Sequence, residues 1–407
     1  MNAQELRKHY PELAVKVYGK PLVYLDNAAT AQRPESVVAK WDEMSFQRNS
    51  NLHRAVHHIA ELATDEFEST REFVRSFINA ESSDEIVFTS GATMSINLVA
   101  YSFGDKFIAE GDEIFVTEEE HHSNIVPWQM LCERKKAILK VLPVDESGHL
   151  DIESLKNNIS EKTRLVCVSQ ISNVLGLRNP VKEIVEICHQ AGCRVLVDGA
   201  QGIVHSVVDV RDLGTDFYVF SGHKLYAAPG TGILYARREI LEQMPPFLAG
   251  GEMIDTVRWE GTSYAGIPHR FEAGTQNIAG VPTLKPAIEE AVSMRDAEIE
   301  KEQERITEYV YRFLMREPGI RLYGVPKYPG EKIPLFSFSV EGAHHEDLAL
   351  ILDKMGVAVR SGQMCAEPLM DRFGVTGMLR ASFAPYNTLS EAEYFTESLQ
   401  KAIKMLR

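Results

Sequence analysis

The chain has 407 residues, enough to bury a large core, and this length favours two domains over one. Its formal net charge is −15, with 43 Lys and Arg against 58 Asp and Glu, which argues against a nucleic-acid-binding protein. The sequence has no apolar stretch long enough to span a bilayer, and the N-terminus lacks a secretory pattern. We therefore expect a cytoplasmic protein that binds neither nucleic acid nor membranes.

The first part of the chain predicts isolated elements. A short helix is expected to end near Pro11, and a short strand runs into a turn of small residues within 24–30. Residues 59–79 have the 3.6-residue apolar period of a helix. The next strand, within 85–93, ends in Ser-Gly-Ala-Thr, and a helix follows it.

From there, strands and helices alternate. We predict strands within 113–122, 137–144, 164–173, 193–201 and 216–224, each a nearly continuous apolar run. A helix over 179–192 is expected to be capped by Asn179. Continuous apolar strands are typical of a parallel sheet covered by helices on both faces, which predicts an α/β fold.

The remainder of the chain predicts a smaller α+β domain. A charged helical stretch over 288–316 leads into it, and Ser390 with Glu393 is expected to form the capping box of the last helix. We predict a large domain over 20–287 and a small C-terminal domain over 288–407, with residues 1–19 packing on the small domain.

Polar side chains follow five of the predicted strands. In parallel α/β sheets, ligands bind at the carboxyl ends of the strands, so these residues are expected to share one rim. They are Thr93, His121, Asn173, Asp198 and Lys224.

Lys224 is the most unusual of them, because it lies where the apolar run FYVF opens into a Gly-rich loop. A buried ammonium is costly, and a desolvated lysine is readily deprotonated and able to form a Schiff base. We predict that Lys224 carries pyridoxal phosphate (PLP). Asp198 supplies the acid that such a cofactor needs beside its pyridine nitrogen. Thr93 lies near a helix N-terminus, which suits a phosphate.

Eight motifs, taken together, carry a resemblance to a known family. They are YLDNAAT, TSGAT, EHHSNIVPW, SNVLG, VDGAQ, SGHKLYAAPGTGILY, RFEAGTQN and VRSGQMCAEPLM, in that order. The chain resembles the class V aminotransferase-fold enzymes, and most of all the cysteine desulfurases of the SufS type, from about residue 10 to 405. The resemblance implies the type I fold of PLP-dependent transferases and a homodimer.

The family motifs also imply roles for individual residues. The implied cofactor ligands are Lys224, Asp198, Gln201 at the phenolate oxygen, His121 stacked on the ring, and Thr93, Ser221 and His223 at the phosphate. Thr275 is expected to reach the phosphate of a neighbouring subunit. Asn173 and Arg380 are expected to bind the substrate carboxylate, and His53 and Arg360 to line the entrance.

The implied reaction converts L-cysteine to L-alanine. Lys224 removes the α-proton, the Cys365 thiolate attacks the substrate sulfur, and Cys365 carries a persulfide to a SufE- or SufU-like acceptor for iron–sulfur cluster assembly. Two positions depart from the family pattern. Gln363-Met364 replaces the two histidines that often precede the catalytic cysteine, and Met94 replaces a glutamate that often follows the phosphate-binding threonine.

Three other functions remain open from the sequence. A selenocysteine lyase, with L-selenocysteine as its substrate, shares the same site and depends less on Cys365. Another PLP β-lyase or a kynureninase-like hydrolase forms no persulfide. A catalytically silent scaffold has the same fold without activity.

The sequence predicts no metal site and no disulfide. Cys132, Cys167, Cys188 and Cys193 lie in apolar patterns and are interpreted as reduced packing residues. The five cysteines form neither a CxxC pair nor a zinc-like spacing with histidine. His121 and His122 are adjacent on a predicted strand and so face opposite sides. His53 and His57 have helical spacing but no acid placed beside them.

Overall fold

The computed structural model describes residues 2–407. Its strands are Lys16–Val17 (β1), Lys20–Pro21 (β2), Val23–Tyr24 (β3), Ile86–Thr89 (β4), Glu113–Thr117 (β5), Ile138–Leu142 (β6), Thr163–Ser169 (β7), Arg194–Asp198 (β8), Phe217–Ser221 (β9), Gly232–Ala236 (β10), Ile254–Arg258 (β11), Gly261–Tyr264 (β12), Ile320–Tyr323 (β13), Leu335–Val340 (β14), Val357–Ala358 (β15), Arg360–Gly362 (β16) and Met378–Ser382 (β17).

The α-helices are Ala3–Leu6 (α1), Glu35–Gln47 (α2), His58–Phe77 (α3), Ala92–Phe107 (α4), Val126–Lys135 (α5), Ile152–Asn158 (α6), Val181–Gln190 (α7), Gly202–His205 (α8), Val210–Leu213 (α9), Arg238–Leu241 (α10), Leu284–Ser293 (α11), Ala297–Arg316 (α12), His345–Lys354 (α13), Glu367–Phe373 (α14) and Leu389–Leu406 (α15). Three of the short 3-10 helices are His122–Asn124, Gly222–Lys224 and His269–Phe271.

Seven strands form the central sheet, in the order β4-β10-β9-β8-β7-β5-β6. The pairs β9–β8, β8–β7, β7–β5 and β5–β6 are parallel, and β10 is antiparallel to both β4 and β9. Every residue of β5, β9 and β10 is buried. The continuous apolar strands therefore lie in a mainly parallel sheet, which confirms the predicted α/β fold.

A second, four-stranded antiparallel sheet has the order β13-β14-β17-β16. It shares an apolar cluster with helices α12, α13 and α15. The cluster also holds Val23 and Leu25, and β3 pairs in parallel with β15. The boundary predicted between residues 287 and 288 falls inside α11. The division into two domains stays a prediction.

The N-terminal residues contact the end of the chain. Nη1 of Arg7 donates to the carbonyl oxygen of Tyr386 at 3.1 Å and forms an ion pair with Glu391 at 2.9 Å. Nζ of Lys20 donates to the carbonyl oxygen of Lys354 at 3.1 Å. Both contacts join the first twenty residues to the C-terminal part of the chain.

Two predicted helix caps are wrong. Asn179 does not cap α7; the residue before the helix is Pro180, and the Asn179 amide donates instead to Glu119 and to the carbonyl oxygen of Ser169. The capping box of α15 is formed by Thr388 and Glu391, two residues earlier than predicted, because the helix begins at Leu389. At α7 tertiary contacts occupy the Asn179 side chain, and at α15 the cap is the threonine that directly precedes the first helical residue.

None of the helices within residues 2–407 combines the length and the apolar character needed to cross a membrane.

Candidate active site

A cavity of about 200 Å³ lies at the carboxyl edge of the central sheet. Of the thirteen predicted site residues, His53 and Thr275 lie outside it, and the other eleven line it. These eleven are Thr93, His121, Asn173, Asp198, Gln201, Ser221, His223, Lys224, Arg360, Cys365 and Arg380. The rim expected from the strand ends therefore exists, and residues from the C-terminal sheet close it from the other side.

Lys224 ends the 3-10 helix that follows β9. Burial lowers the pKa of its amine from the usual range, the positive charge of Arg380 acts in the same direction, and the negative charges of Asp198 and Cys365 oppose them. A lysine with a lowered pKa has a larger fraction of the free amine, which is the nucleophilic and basic form.

Asp198 ends β8, where its carboxylate is almost fully buried. The backbone N–H of Ala200 donates to its Oδ1 at 2.9 Å. Burial raises the pKa of Asp198, while Lys224 and the Ala200 hydrogen bond oppose the rise. Gln201 lies three residues further on, and its Nε2 donates to the carbonyl oxygen of Ala28 at 2.9 Å. An amide nitrogen carries two hydrogens, so one remains for a ligand.

The imidazole of His121 is held in one tautomer. The backbone N–H of Ser123 donates to Nδ1 at 3.1 Å, and the Ser123 hydroxyl lies 2.8 Å from the same nitrogen. Burial, together with the positive charges of Lys224, His122 and Arg380, lowers the pKa of His121 to about 4. The ring is therefore neutral at pH 7, with its hydrogen on Nε2.

The N-terminus of α4 lies at the wall of the cavity. Gly91 precedes the helix, Thr93 is its second residue, and the N–H of Ala92 donates to Oγ of Ser221 at 2.9 Å. Helix N-termini favour anions because their first N–H groups lack intrahelical partners. Gly232 of β10 allows this arrangement, because a Cβ there would come within 2.3 Å of the Cα of Gly91.

Arg380 joins the three parts of the chain that surround the cavity. Its Nη1 donates to the carbonyl oxygen of Asn173 at 2.8 Å, and its Nη2 donates to Oδ1 of Asp26 at 3.3 Å. Its Nε is buried and has no hydrogen-bond partner among residues 2–407. Buried polar groups are nearly always paired, so this lone donor fits a site for a ligand carboxylate.

Cys365 is exposed and lies in a loop between β16 and α14. Met364 and Cys365 both have φ of 55°, in the left-handed region that non-glycine residues seldom occupy. Nδ2 of Asn173 donates to the carbonyl oxygen of Met364 at 2.9 Å, and the N–H of His122 donates to that of Cys365 at 2.7 Å. The N–H of Glu367 donates to Nε2 of His122 at 3.0 Å.

These hydrogen bonds show what the sequence analysis missed. His122 was considered only as half of a metal pair, and it instead fixes the loop that carries Cys365. Met364 was treated only as a departure from a family pattern, and its side chain is buried in the main apolar cluster. A local sequence pattern holds no signal for either contact, because the loop meets residues more than 190 positions away.

His53 and Thr275 lie elsewhere. His53 is in the connection before α3, where its Nε2 is 2.9 Å from Oε1 of Glu68. Thr275 is exposed, four residues after the 3-10 helix His269–Phe271. Neither residue contributes to the cavity of its own chain. The entrance role of His53 and the partner-phosphate role of Thr275 stay predictions.

Comparisons with known proteins find relatives that match nearly the whole chain. The chain is 45% identical, over 401 residues, to a probable cysteine desulfurase of Halalkalibacterium halodurans, covering 98% of both chains. It is 44% identical over 404 residues to a cysteine desulfurase of Pectobacterium carotovorum, covering 99% of this chain and 98% of that protein.

Solved structures give the same result. The structure of the cysteine desulfurase CsdA from Escherichia coli, in an S-sulfonic acid form, matches with a TM-score of 0.91 and 37% identity, covering all of both chains. The apo structure of a cysteine desulfurase from Thermococcus onnurineus NA1 matches with a TM-score of 0.93 and 35% identity, over 100% and 99% of the two chains. The fold is therefore the type I fold of PLP-dependent enzymes. Residues 23–395 match the aminotransferase class-V family, and the chain belongs to that family.

Proposed function

We propose that this protein is a PLP-dependent cysteine desulfurase that converts L-cysteine to L-alanine and holds the sulfur as a persulfide on Cys365. The observation that carries the proposal is that Lys224, which follows a strand of the central sheet, and Cys365, which follows a strand of the four-stranded sheet, line one cavity of about 200 Å³. Full-length relatives at about 44% identity carry the name of this activity.

The residues of the cavity fit PLP. The buried Asp198 suits a protonated pyridine nitrogen, and the neutral ring of His121 suits stacking. The N-terminus of α4, with Thr93, Ser221 and His223 beside it, suits the phosphate. Gln201 has an amide hydrogen left for the phenolate oxygen. Lys224 would hold PLP in the cavity, and PLP would supply electron withdrawal from a substrate amine attached to it, which makes the α-proton of the substrate acidic.

Substrate binding is assigned to the arginine side of the cavity. The unpaired Nε of Arg380 and the second amide hydrogen of Asn173 are donors for the α-carboxylate of cysteine. Arg360, half of whose side chain is exposed, forms an ion pair of 3.7 Å with Asp26 and lies at the outer edge. With its carboxylate bound near Arg380, the substrate would have its thiol end free to meet Cys365.

The chain's own residues then perform two steps. Lys224 would take the α-proton of the bound substrate with its free amine. The Sγ of the Cys365 thiolate next attacks the substrate sulfur, so that an S–S bond forms and the Cβ–S bond breaks. The carbon fragment keeps the electron pair, is protonated and leaves as alanine. The balance is cysteine plus Cys365 thiol to alanine plus Cys365 persulfide.

The other cysteines do not compete for this role. Cys132, Cys167, Cys188 and Cys193 are buried and unpaired, as the sequence predicted. Burial raises the pKa of Cys132 to about 11, so its thiol is un-ionised at pH 7. Four reduced thiols in the interior support the proposal of a cytoplasmic protein.

The proposal extends to partners. The exposed loop of Cys365 suits delivery of sulfur to a SufE- or SufU-like acceptor for iron–sulfur cluster assembly. The exposure of Thr275 suits a homodimer in which this residue reaches the phosphate of the partner's cofactor. L-Selenocysteine is an alternative substrate, because selenium leaves more readily than sulfur and needs less help from Cys365.

The deciding experiment compares Cys365→Ala with Cys132→Ala on both substrates, with mass spectrometry of the protein after cysteine treatment. We expect Cys365→Ala to lose alanine production from L-cysteine and the added sulfur mass, while cleavage of L-selenocysteine is retained. Cys132→Ala should behave as the wild type. Unchanged cysteine turnover in Cys365→Ala would contradict the proposal, and activity without any added mass would favour a β-lyase or a kynureninase-like hydrolase.

A further inference from the structure

A second group of reactive side chains lies outside the catalytic cavity. The group consists of His53, Glu68 and His269, whose ligand atoms all lie within 4.8 Å of one another. Nε2 of His53 is 2.9 Å from Oε1 of Glu68, and the two imidazole rings have centroids 5.1 Å apart. The three residues come from the connection before α3, from α3 itself and from the 3-10 helix His269–Phe271.

We propose that His53, Glu68 and His269 bind a divalent transition metal ion of the Zn²⁺ type, with water completing its coordination. Two imidazoles and one carboxylate, with an open fourth position, are a set of ligands that proteins use for zinc. Imidazole ligands favour zinc and its neighbours over magnesium and calcium, which prefer oxygen ligands.

Arg71 pairs with two carboxylates, Glu272 and Glu68. Its Nη1 and Nη2 donate to the Glu272 carboxylate at 2.7 and 2.9 Å, and both side chains are 2% exposed. Arg71, Glu68 and Glu272 together carry a charge of −1, which a divalent ion changes to +1. The Nε–H of Arg71 also donates to Oε2 of Glu68 at 2.8 Å. This hydrogen bond orients the carboxylate, as residues that hydrogen-bond to metal ligands commonly do.

His53 is held in place before any ion binds. Its backbone has a φ of 62°, and its N–H donates to Oγ1 of Thr64 at 2.9 Å. Its ring packs edge-on against Phe67, with centroids 6.3 Å apart. His57, four residues on, does not join the group, because its ring caps α3 by accepting from the N–H of Ala60. The metal ligands are thus not the i, i+4 pair that the sequence offered.

A bound ion would fasten α3 to the segment that follows the β11–β12 hairpin. His53 and Glu68 are partly exposed, so an ion can reach the group from solvent. The inference is independent of the proposed desulfurase function, since binding at this group is measured without turnover.

The test uses the PLP-loaded protein carrying Cys365→Ser, so that the exposed thiol does not bind metal. After removal of metal by a chelator, Zn²⁺ is titrated against a chromophoric competitor, and Co²⁺ is followed by its visible absorption. We expect one ion per chain. His269→Ala and His53→Ala should each weaken Zn²⁺ binding by about tenfold or more and abolish the Co²⁺ spectrum.

His58→Ala is the matched control. This histidine is the first residue of α3, its side chain is 79% exposed, and it lies outside the group of His53, Glu68 and His269. It should leave affinity and spectrum unchanged. Near-ultraviolet circular dichroism shows whether each variant keeps its fold. Equal Zn²⁺ affinity in folded His269→Ala, His53→Ala and His58→Ala would overturn the proposal, as would failure of the Cys365→Ser protein to bind one ion per chain.

Discussion

Glu119 and Glu120 are adjacent carboxyl groups with no exposed surface. Glu120 accepts four hydrogen bonds, two of them from the backbone N–H and the hydroxyl of Ser169 at 2.7 Å. Glu119 accepts one from Asn179, and its Oε2 has no partner among residues 2–407. Burial raises the pKa of Glu119 to about 8 and that of Glu120 to about 7.

A carboxyl group whose pKa is raised by folding makes the free energy of unfolding depend on pH. Between the unfolded value of 4.5 and the folded value of about 8, the folded protein binds more protons at Glu119 than the unfolded chain does. The free energy of unfolding therefore falls as pH rises through this range. Below pH 4.5 the Glu119 carboxyl group is protonated in both the folded and the unfolded state, so it causes no loss of stability there.

We expect Glu119→Gln to remove this loss. The amide is isosteric, keeps an oxygen for Asn179 and has no charge to bury. Its stability relative to the wild type should rise between pH 5 and pH 8, by about 2 kcal/mol or more. Urea denaturation at the two pH values measures it. Glu133→Gln, at an exposed position, is the control, and an equal difference for Glu119→Gln at both pH values would contradict the argument.

At the scale of elements, the loop between β16 and α14 needs external support. Left-handed backbone at two consecutive non-glycine residues, Met364 and Cys365, costs on the order of 1–3 kcal/mol each. The buried side chain of Met364 and the hydrogen bonds from Asn173 and His122 offset this cost. The position of the proposed nucleophile is therefore set by residues of the central sheet's rim, not by the loop itself.

His122→Ala is expected to loosen this loop. The variant keeps the backbone hydrogen bond to Cys365 but loses the acceptor for the N–H of Glu367. We expect kcat for L-cysteine to fall about tenfold, because a small misplacement of a reacting group has a large effect on rate. KM for L-cysteine and the visible absorption of bound PLP should stay unchanged, and steady-state kinetics with absorption spectra measure both.

His122→Gln is the rescue variant, since its Oε1 can accept the same hydrogen bond. It should recover most of the lost kcat. A variant that lost PLP together with activity, or a glutamine that behaved like alanine, would show that His122 has only a packing role.

At the scale of the whole molecule, one buried ion pair connects three distant parts of the chain. Arg71 lies on α3, and Glu272 lies just before the exposed Thr275. Glu272 also accepts from the N–H of Phe88 in β4 at 2.7 Å. The guanidinium of Arg71 stacks on the Phe88 ring, 4.4 Å from its centroid. The edge of the central sheet, a helix and the segment of Thr275 are thereby joined.

Glu272→Ala should lower the free energy of unfolding by about 3–5 kcal/mol, because it leaves the buried charge of Arg71 without its main partner. Thermal denaturation of the PLP-loaded protein measures the loss. The matched control is Glu72→Ala, which removes an exposed pair with Arg75 and should cost less than about 1 kcal/mol. Equal losses for the two variants would mean that the Arg71–Glu272 pair contributes no more than a surface contact.

Much of the fold could be predicted because apolar runs in the sequence indicate which segments are buried. Strands β5, β8 and β9 are nearly continuous apolar runs, and they lie in the buried centre of the sheet. Eleven residues of the cavity were predicted, partly from strand ends such as those before Asp198 and Lys224, and partly from motifs that resemble a family. Cap positions were harder, since Thr388, Ser390 and Asn179 are all suitable caps by residue type.

The sequence by itself determined the alternation of strands and helices, the lysine with its acid partner, and the exposed cysteine among four buried ones. Only the tertiary structure decided that His122 and Asn173 hold the Cys365 loop and that Arg380 has an unpaired buried donor. Only the tertiary structure brings His269 into one group with His53 and Glu68. The physical reason is that apolar periodicity encodes which face is buried. The partners of a polar side chain are set by packing between segments that are far apart in the sequence.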